Sequence, residues 1–419
     1  MFKTKLRTSQ VFVPGGFPQI TYIPRNEHQL ESRVQAAQDN LSKLMVITGA
    51  TKSGKTVLVD KVFPQDSAIW IDGGTISDEQ SFWDSIVEKM ELFTYTEVSE
   101  SYSDSMEAGV EASVEGNALF AKGSAKLHGT LQVGSSDGAS YHRNISAKII
   151  AIRALQDNLV PLVVDDFHYI SKPIQKSIVR ALKAPIMHGL PVIFIAIPNR
   201  KYDAVEVERE MTGRIENIEM PIWSEEELKG IAHTGFGKLD VEISANLISE
   251  LANAAYGSPF LMQEFCKEIC LRSGITEQKS SPQHIPDDIS VGSIFTTIAE
   301  HSGRSMFDKL KRGPRARTDR KPRHMVDGTV TDIYGVVMEG LKVLQPGVES
   351  VPYESLRTNI KNILDEDPPQ KHEVTRVLDK IAEISYTDTS STPVIDWQRE
   401  DNIITITDPF FAFFLKWSN

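Results

Sequence analysis

Leu44-Met-Val-Ile-Thr48 runs directly into Gly49-Ala-Thr-Lys-Ser-Gly-Lys-Thr56, and the reading of this stretch decides the fold. The first five residues form a continuous apolar run ending in Thr, the pattern of a short strand buried on both faces. The next eight carry Gly at the first and sixth places and Lys-Thr at the last two, which is the P-loop pattern. A phosphate tail needs several converging N–H donors, and a glycine-bearing loop ahead of a helix N-terminus supplies them. Lys55 adds a positive charge for the β- and γ-phosphates, and Thr56 offers a hydroxyl to Mg²⁺. The segment Gly54–Val62 reads as a helix, so the motif has the strand–loop–helix setting that this chemistry requires. Gly49, Ala50, Thr51, Lys52, Ser53, Gly54, Lys55 and Thr56 are therefore expected to hold ATP, ahead of GTP, with Mg²⁺.

Working outward, Ala68–Ile71, Leu159–Val164 and Val192–Ile197 are further short apolar runs, separated by helical patterns through Phe82, Ile86 and Met90 and over Ile145–Asn158. Strands of this kind alternating with helices predict an α/β fold, a parallel sheet with crossover connections. Leu162-Val-Val-Asp165-Asp166 puts two carboxylates at a strand end. Asp165 is placed to hold Mg²⁺ through water, and Asp166 to orient or deprotonate an attacking water. Asp is shorter than the Glu common in fast ATPases, so slow hydrolysis is expected. Between Met106 and Val133 a period of two (Ala108, Val110, Ala112, Val114, then Ala125, Leu127, Gly129, Leu131, Val133) predicts a β-hairpin inserted over 93–140. An oligomerisation or partner-binding arm is the leading reading of it, ahead of an ordinary packed hairpin or a strand pair of a membrane barrel.

Beyond Pro221 the pattern turns helical. Ser224-Glu-Glu-Glu is a helix start, and helices are expected over Ile243–Ala255 and Pro259–Arg272, with a loop at Glu277–Pro286. Arg304–His324 is basic, contains Pro and Gly, and reads as a linker. Helix candidates Val330–Leu344, Tyr353–Leu364 and Lys371–Ile384, then strands Pro393–Gln398 and Ile403–Thr407, predict a winged-helix domain with a two-stranded wing. In the closing segment Phe410, Phe411, Phe414 and Trp417 are expected in that domain's core. The expected organisation is an arm (1–28), a P-loop domain (29–221), a helical lid (222–300), a basic linker (301–328) and a winged helix (329–419).

The 419 residues suffice for two or three domains, and 40% hydrophobic with 24% charged content is that of a globular chain. The formal charge of −12 argues against a surface that binds nucleic acid throughout. Cys266 and Cys270 are too few for a disulfide framework or a zinc site, and read as buried thiols. No apolar stretch follows the basic N-terminus, and Pro191–Pro198 is too short to span a bilayer as a helix. A cytoplasmic protein without a membrane partner is expected.

Five features in order resemble the STAND branch of the AAA+ ATPases, which includes NACHT, NB-ARC and archaeal ATPase-like proteins. Tyr22-Ile-Pro-Arg25-Asn-Glu27 resembles the hydrophobic-Gly-Arg-Glu motif on the base side of the nucleotide, with Pro24 in the place of Gly. The P-loop and Asp165-Asp166 follow. Ile197-Pro-Asn199-Arg200 resembles the sensor position at the γ-phosphate, and Gly257-Ser-Pro259-Phe260 the lid motif whose Pro packs on adenine. The resemblance covers roughly residues 20 to 270. It implies Arg25 and Pro259 as nucleotide contacts, Arg200 as a catalytic sensor, and Arg214 as an Arg reaching a neighbouring subunit's nucleotide. It further implies an ATP-dependent switch that forms homo-oligomers on a signal, in prokaryotic defence, with an unidentified effector or sensor protein as partner. The alternative is a DNA-binding AAA+ loader or a transposition or replication regulator, using residues 304–324 and the winged helix.

Overall fold

The computed structural model describes residues 5–39, 42–92, 95–99, 140–144, 146–197, 213–315, 320–387 and 393–418. They form two compact units, one of residues 29–48 and 58–219, the other of 1–28, 49–57 and 220–419. The first unit is built on five parallel strands, β1 (Leu44–Thr48), β2 (Ile69–Asp72), β5 (Leu162–Asp165), β6 (Val192–Ala196) and β7 (Ile215–Glu219), in the order β2-β5-β6-β1-β7. Every residue of β1 and β6 is buried, as continuous apolar runs require in a sheet covered on both faces. Helices Glu79–Lys89, Ala147–Asn158 and Lys172–Met187 cover it through Phe82, Trp83, Ile86, Ala151, Leu155, Ile178, Val179, Leu182 and Ile186. Each of the large apolar side chains fully buried there contributes about 1.5–3 kcal/mol. Phe167 stacks on Phe194 with ring centroids 4.0 Å apart, fixing the turn after β5 against β6.

Register sets what the sheet's edges present. Thr48 pairs with Ala196, Asp72 with Asp165, and Val164 with Phe194. The C-terminal ends of β1, β2, β5 and β6 therefore share one edge of the sheet, and Asp165 stands at the end of β5 on it. Within the insertion, β3 (Tyr95–Ser99) and β4 (Ser140–Asn144) pair antiparallel, Tyr95 opposite Asn144 and Ser99 opposite Ser140. The alternating strands expected over 108–133 lie outside the described residues.

The second unit is mainly helical. Ser224 caps helix Glu225–Leu239 through the expected box, and helices Ala245–Ala254, Pro259–Arg272 and Val291–Ser302 follow. The N-terminal arm belongs to this unit. Phe12 is fully buried beside Phe236, with centroids 5.1 Å apart, and Gln263 donates to Thr21 Oγ1 at 2.7 Å. Glu277–Pro286 is not a plain loop, since Gln283–His284 pairs in parallel with Val241–Glu242.

The stretch read as a basic linker departs further. Arg304–Arg312 is a helix that buries Phe307 and Leu310, and Arg323–His324 pairs with Val330–Thr331. An i, i+3 apolar pair inside a cationic sequence marks one buried stripe, which total charge conceals. Helices Ile333–Leu344, Tyr353–Ile363 and Lys371–Thr387 stand close to their expected limits. Their sheet has a third strand, Ser350–Pro352, which pairs with Ile403–Ile406. The closing helix Pro409–Trp417 is buried nearly all round, Phe410 to Leu415 without exception. Phe413 packs on Phe265 and Phe295, Trp417 on Phe295, and Phe414 on Phe307, so its rings join the helices of 259–312 as well as the C-terminal segment's own core.

Candidate nucleotide-binding site

The loop Gly49–Lys55 has the conformation that phosphate capture needs. Lys52 and Gly54 are left-handed, φ 56° and 95°, with Ser53 between them outside that region. Such alternation turns successive N–H groups toward one concave side. Helix Lys55–Val62 starts there, and the positive end of its dipole favours an anion at this place. The Lys55 ammonium folds back over the loop, donating to the carbonyls of Gly49 at 2.9 Å and Ala50 at 2.8 Å, and Lys55 is only 9% exposed. A buried cation beside a helix N-terminus suits a polyphosphate. The Ser53 hydroxyl is also buried and has no hydrogen-bond partner among the described residues. These features fit a magnesium–nucleotide complex.

Residues that the sequence did not single out hold this loop. The Trp223 indole N–H donates to the Ser53 carbonyl at 2.8 Å, and its ring lies 3.9 Å from where a Cβ on Gly54 would stand. Arg25 lies over the same indole, 4.8 Å from the ring centroid. Its guanidinium donates to Glu227 at 2.6 and 3.0 Å and to the carbonyls of Pro221 at 2.8 Å and Ile222 at 3.1 Å. Arg25, expected on the base side of the nucleotide, thus braces the segment that grips the P-loop. Burial pushes the Glu227 carboxyl up, but hydrogen bonds from Arg25 and Ser224 outweigh it and leave it below its ordinary value. Pro259 opens its helix behind Ser258, and a Cβ on the preceding Gly257 would lie 2.4 Å from Ile222 Cγ2. The turn before Pro259 therefore packs on the Ile222–Trp223 segment.

In the sheet unit, Asp165 ends β5 and its Oδ1 accepts the Asp166 N–H at 2.9 Å. Asp166 is left-handed, φ 49°, and its side chain is 47% exposed, turned out of the strand line. The ring of His168, nearly buried, lies 4.0 Å from the Asp166 carboxylate. Gly73 presses on this turn, since a Cβ there would stand 2.5 Å from the Asp166 carbonyl oxygen. The Gly-Gly pair after β2 was the available signal, but only the structure shows what it touches.

No family model matches the sequence, and no match was found among the curated proteins. Solved structures do match. A Walker-type ATPase of Pyrococcus abyssi superposes with a TM-score of 0.53 at 13% identity, over 99% of this chain and 99% of that one. Cdc6p from Pyrobaculum aerophilum aligns over 98% of each chain at 12% identity with a TM-score of 0.44. The RuvB Holliday junction branch migration motor of Thermotoga maritima aligns over 92% of each at 12% identity, with a TM-score of 0.41. The fold is that of a P-loop NTPase, a parallel sheet with crossover helices as in the Walker-type ATPase. At such identities the likeness extends to the fold alone.

Within the P-loop NTPase fold the remaining expected residues separate. Arg214 precedes β7, and its carbonyl accepts from the N–H of Leu44, at the start of β1. It stands at the sheet edge opposite Thr48, about 13 Å away along the strand. Arg200 lies outside the described residues. Four side chains of the basic strip pair with carboxylates: Arg304 with Glu300 and Asp308, Lys311 with Glu339 at 2.7 Å, Arg320 with Asp332 at 2.5 Å, and Arg323 with Glu366 at 3.6 Å and Glu373 at 3.4 Å. No helix among the described residues is long and apolar enough to cross a membrane.

Proposed function

We propose that the chain binds ATP with Mg²⁺ in the Gly49–Thr56 loop, hydrolyses it slowly, and uses the cycle as a conformational switch. The observation that carries this reading is the loop itself, with left-handed Lys52 and Gly54 ahead of a helix and the buried Lys55 ammonium across its mouth. Bound Mg²⁺ neutralises phosphate charge and polarises the γ-phosphoryl group. On this reading Lys55 binds the β- and γ-phosphates, and Thr56 and Asp165 hold the metal, Asp165 through water. Asp166 positions the attacking water from its half-exposed, left-handed position just beyond the end of β5. Gly49, Ala50, Thr51, Lys52, Ser53 and Gly54 supply the N–H nest, while Arg25 and Pro259 shape the base side through the Ile222–Trp223 segment. Arg200 senses the γ-phosphate. Arg214, at the far edge of its own sheet, acts on a neighbouring copy in a homo-oligomer.

The C-terminal segment's order of helix, strand, two helices and two strands supports a winged helix. A STAND-type switch, in prokaryotic defence and coupled to a further effector or sensor protein, is the biological role proposed. Carboxylate pairing of Arg304, Lys311, Arg320 and Arg323 takes four cations of the basic stretch from a phosphate backbone, which supports that role over a DNA loader. The test is turnover. Wild-type protein is expected to release phosphate from MgATP through many cycles. Lys55→Ala should weaken binding and abolish turnover, and Asp166→Ala should lose turnover alone. A wild-type protein that turns nothing over, or an Asp166→Ala variant as active as wild type, defeats the assignment.

A further inference from the structure

The P-loop of this chain carries a side chain where its own backbone favours none. Lys52 is left-handed at φ 56°, a conformation in which a residue with a Cβ is strained and glycine is not. Its side chain has a definite destination. The ammonium lies 3.9 Å from the ring centroid of Phe410 and 4.4 Å from that of Phe260, and the two rings pack edge-on with centroids 5.0 Å apart. Phe260 belongs to helix Pro259–Arg272 and Phe410 to the closing helix. Asp408, which caps the closing helix by accepting the Phe411 N–H at 2.7 Å, and Glu264 lie near enough to attract the same ammonium. Burial lowers the Lys52 pKa despite these two carboxylates, so the cation is partly desolvated in its seat. A cation shared by two aromatic faces and two carboxylates, three residues before Lys55, is also within the loop that faces the phosphates.

We propose that Lys52 is shared between the nucleotide and the closing helix, so that filling the P-loop with a triphosphate loosens the docking of Pro409–Trp417. The inference rests on the nucleotide reading above and deepens it, by naming the residue through which occupancy reaches the C-terminal segment. Polyphosphate outbids two aromatic faces for a lysine, because full anionic charges at contact distance attract more strongly than ring quadrupoles. As the ammonium turns to the phosphates, Phe410 loses its cation and Asp408 is left as a desolvated carboxylate without its counter-charge. By linkage the effect is reciprocal: whatever nucleotide takes from helix docking, undocking returns as nucleotide affinity.

Hydrogen exchange of the 410–417 amides in the full-length protein tests this, read without nucleotide and with saturating Mg²⁺ and the β,γ-imido analogue of ATP. In wild type the analogue is expected to speed exchange about tenfold, within the usual range of coupling between sites. Lys52→Gly, which also relieves the backbone, should exchange fast with or without the analogue. Phe410→Leu and Asp408→Asn, which keeps the cap, should each bind the analogue more tightly, by up to about the same tenfold factor. Equilibrium dialysis on the same samples separates the two failures. Analogue retained with closing-helix exchange unchanged overturns the coupling and leaves the nucleotide reading standing. Analogue not retained by wild type overturns both. Unaltered affinity in both Phe410→Leu and Asp408→Asn likewise overturns the coupling.

Discussion

Lys55 makes the residue-scale case. Its ammonium is buried against two carbonyls of its own loop, an arrangement that leaves donors and charge concentrated at one place. Removing it in Lys55→Ala should weaken MgATP binding about 10- to 100-fold, the worth of a charge-assisted contact, as read by dialysis. Asp166→Ala should lower turnover at least about 100-fold with binding retained. A second residue-scale prediction concerns Cys270, whose thiol burial pushes up to about 12 from an ordinary value of 9.0. The folded state prefers the protonated thiol, so the stability this contributes is complete below pH 9.0 and is lost as pH rises toward about 12. Denaturant midpoints should fall across that window, and less steeply in Cys270→Ala. An equal slope in both would show that the thiol is not held protonated by the fold.

At the scale of elements, helix Glu225–Leu239 and the turn after β5 each rest on one contact that the sequence hid. The Ser224 cap was legible because a capping box is local. The same Glu227 also receives Arg25, which is 202 residues away in sequence and has no local signature. Arg25→Ala should cost about 2–3 kcal/mol, somewhat less than breaking a fully buried pair, because Glu227 keeps 20% exposure. Since Arg25 helps hold the Glu227 carboxyl below its ordinary 4.5, that carboxylate stabilises the fold above this pH. The contribution is lost as pH falls through the lowered value, and the acid unfolding midpoint should rise in Arg25→Ala. Gly73→Ala is the sharper probe of catalysis. Its new Cβ would meet the Asp166 carbonyl at 2.5 Å, so turnover should drop while nucleotide is still retained. Strands and P-loop were readable because periodicity and spacing are properties of neighbours in the chain. Trp223 under Ser53, the stripe Phe307–Leu310 and the strand Ser350–Pro352 were not, because long-range partners or very short runs define them.

For the whole molecule, the parallel sheet and the helical second unit follow from the patterns of apolar residues, while the strand order came from the structure alone. What the sequence concealed was the allegiance of segments. The arm with Phe12 and the basic stretch with Phe307 each bury an apolar group in the mainly helical unit. A homo-oligomeric switch predicts nucleotide-dependent assembly, visible by negative-stain imaging as rings or filaments with MgATP and not with ADP; unchanged monomers would contradict it. The central claim lies below assembly, in the anion nest itself, and calorimetric titration of MgATP into the wild-type and Lys55→Ala proteins tests it most directly. The account predicts saturable, stoichiometric binding by wild type and at least about tenfold weaker binding by the variant. Absence of binding by wild type, or equal affinity in both, would contradict it.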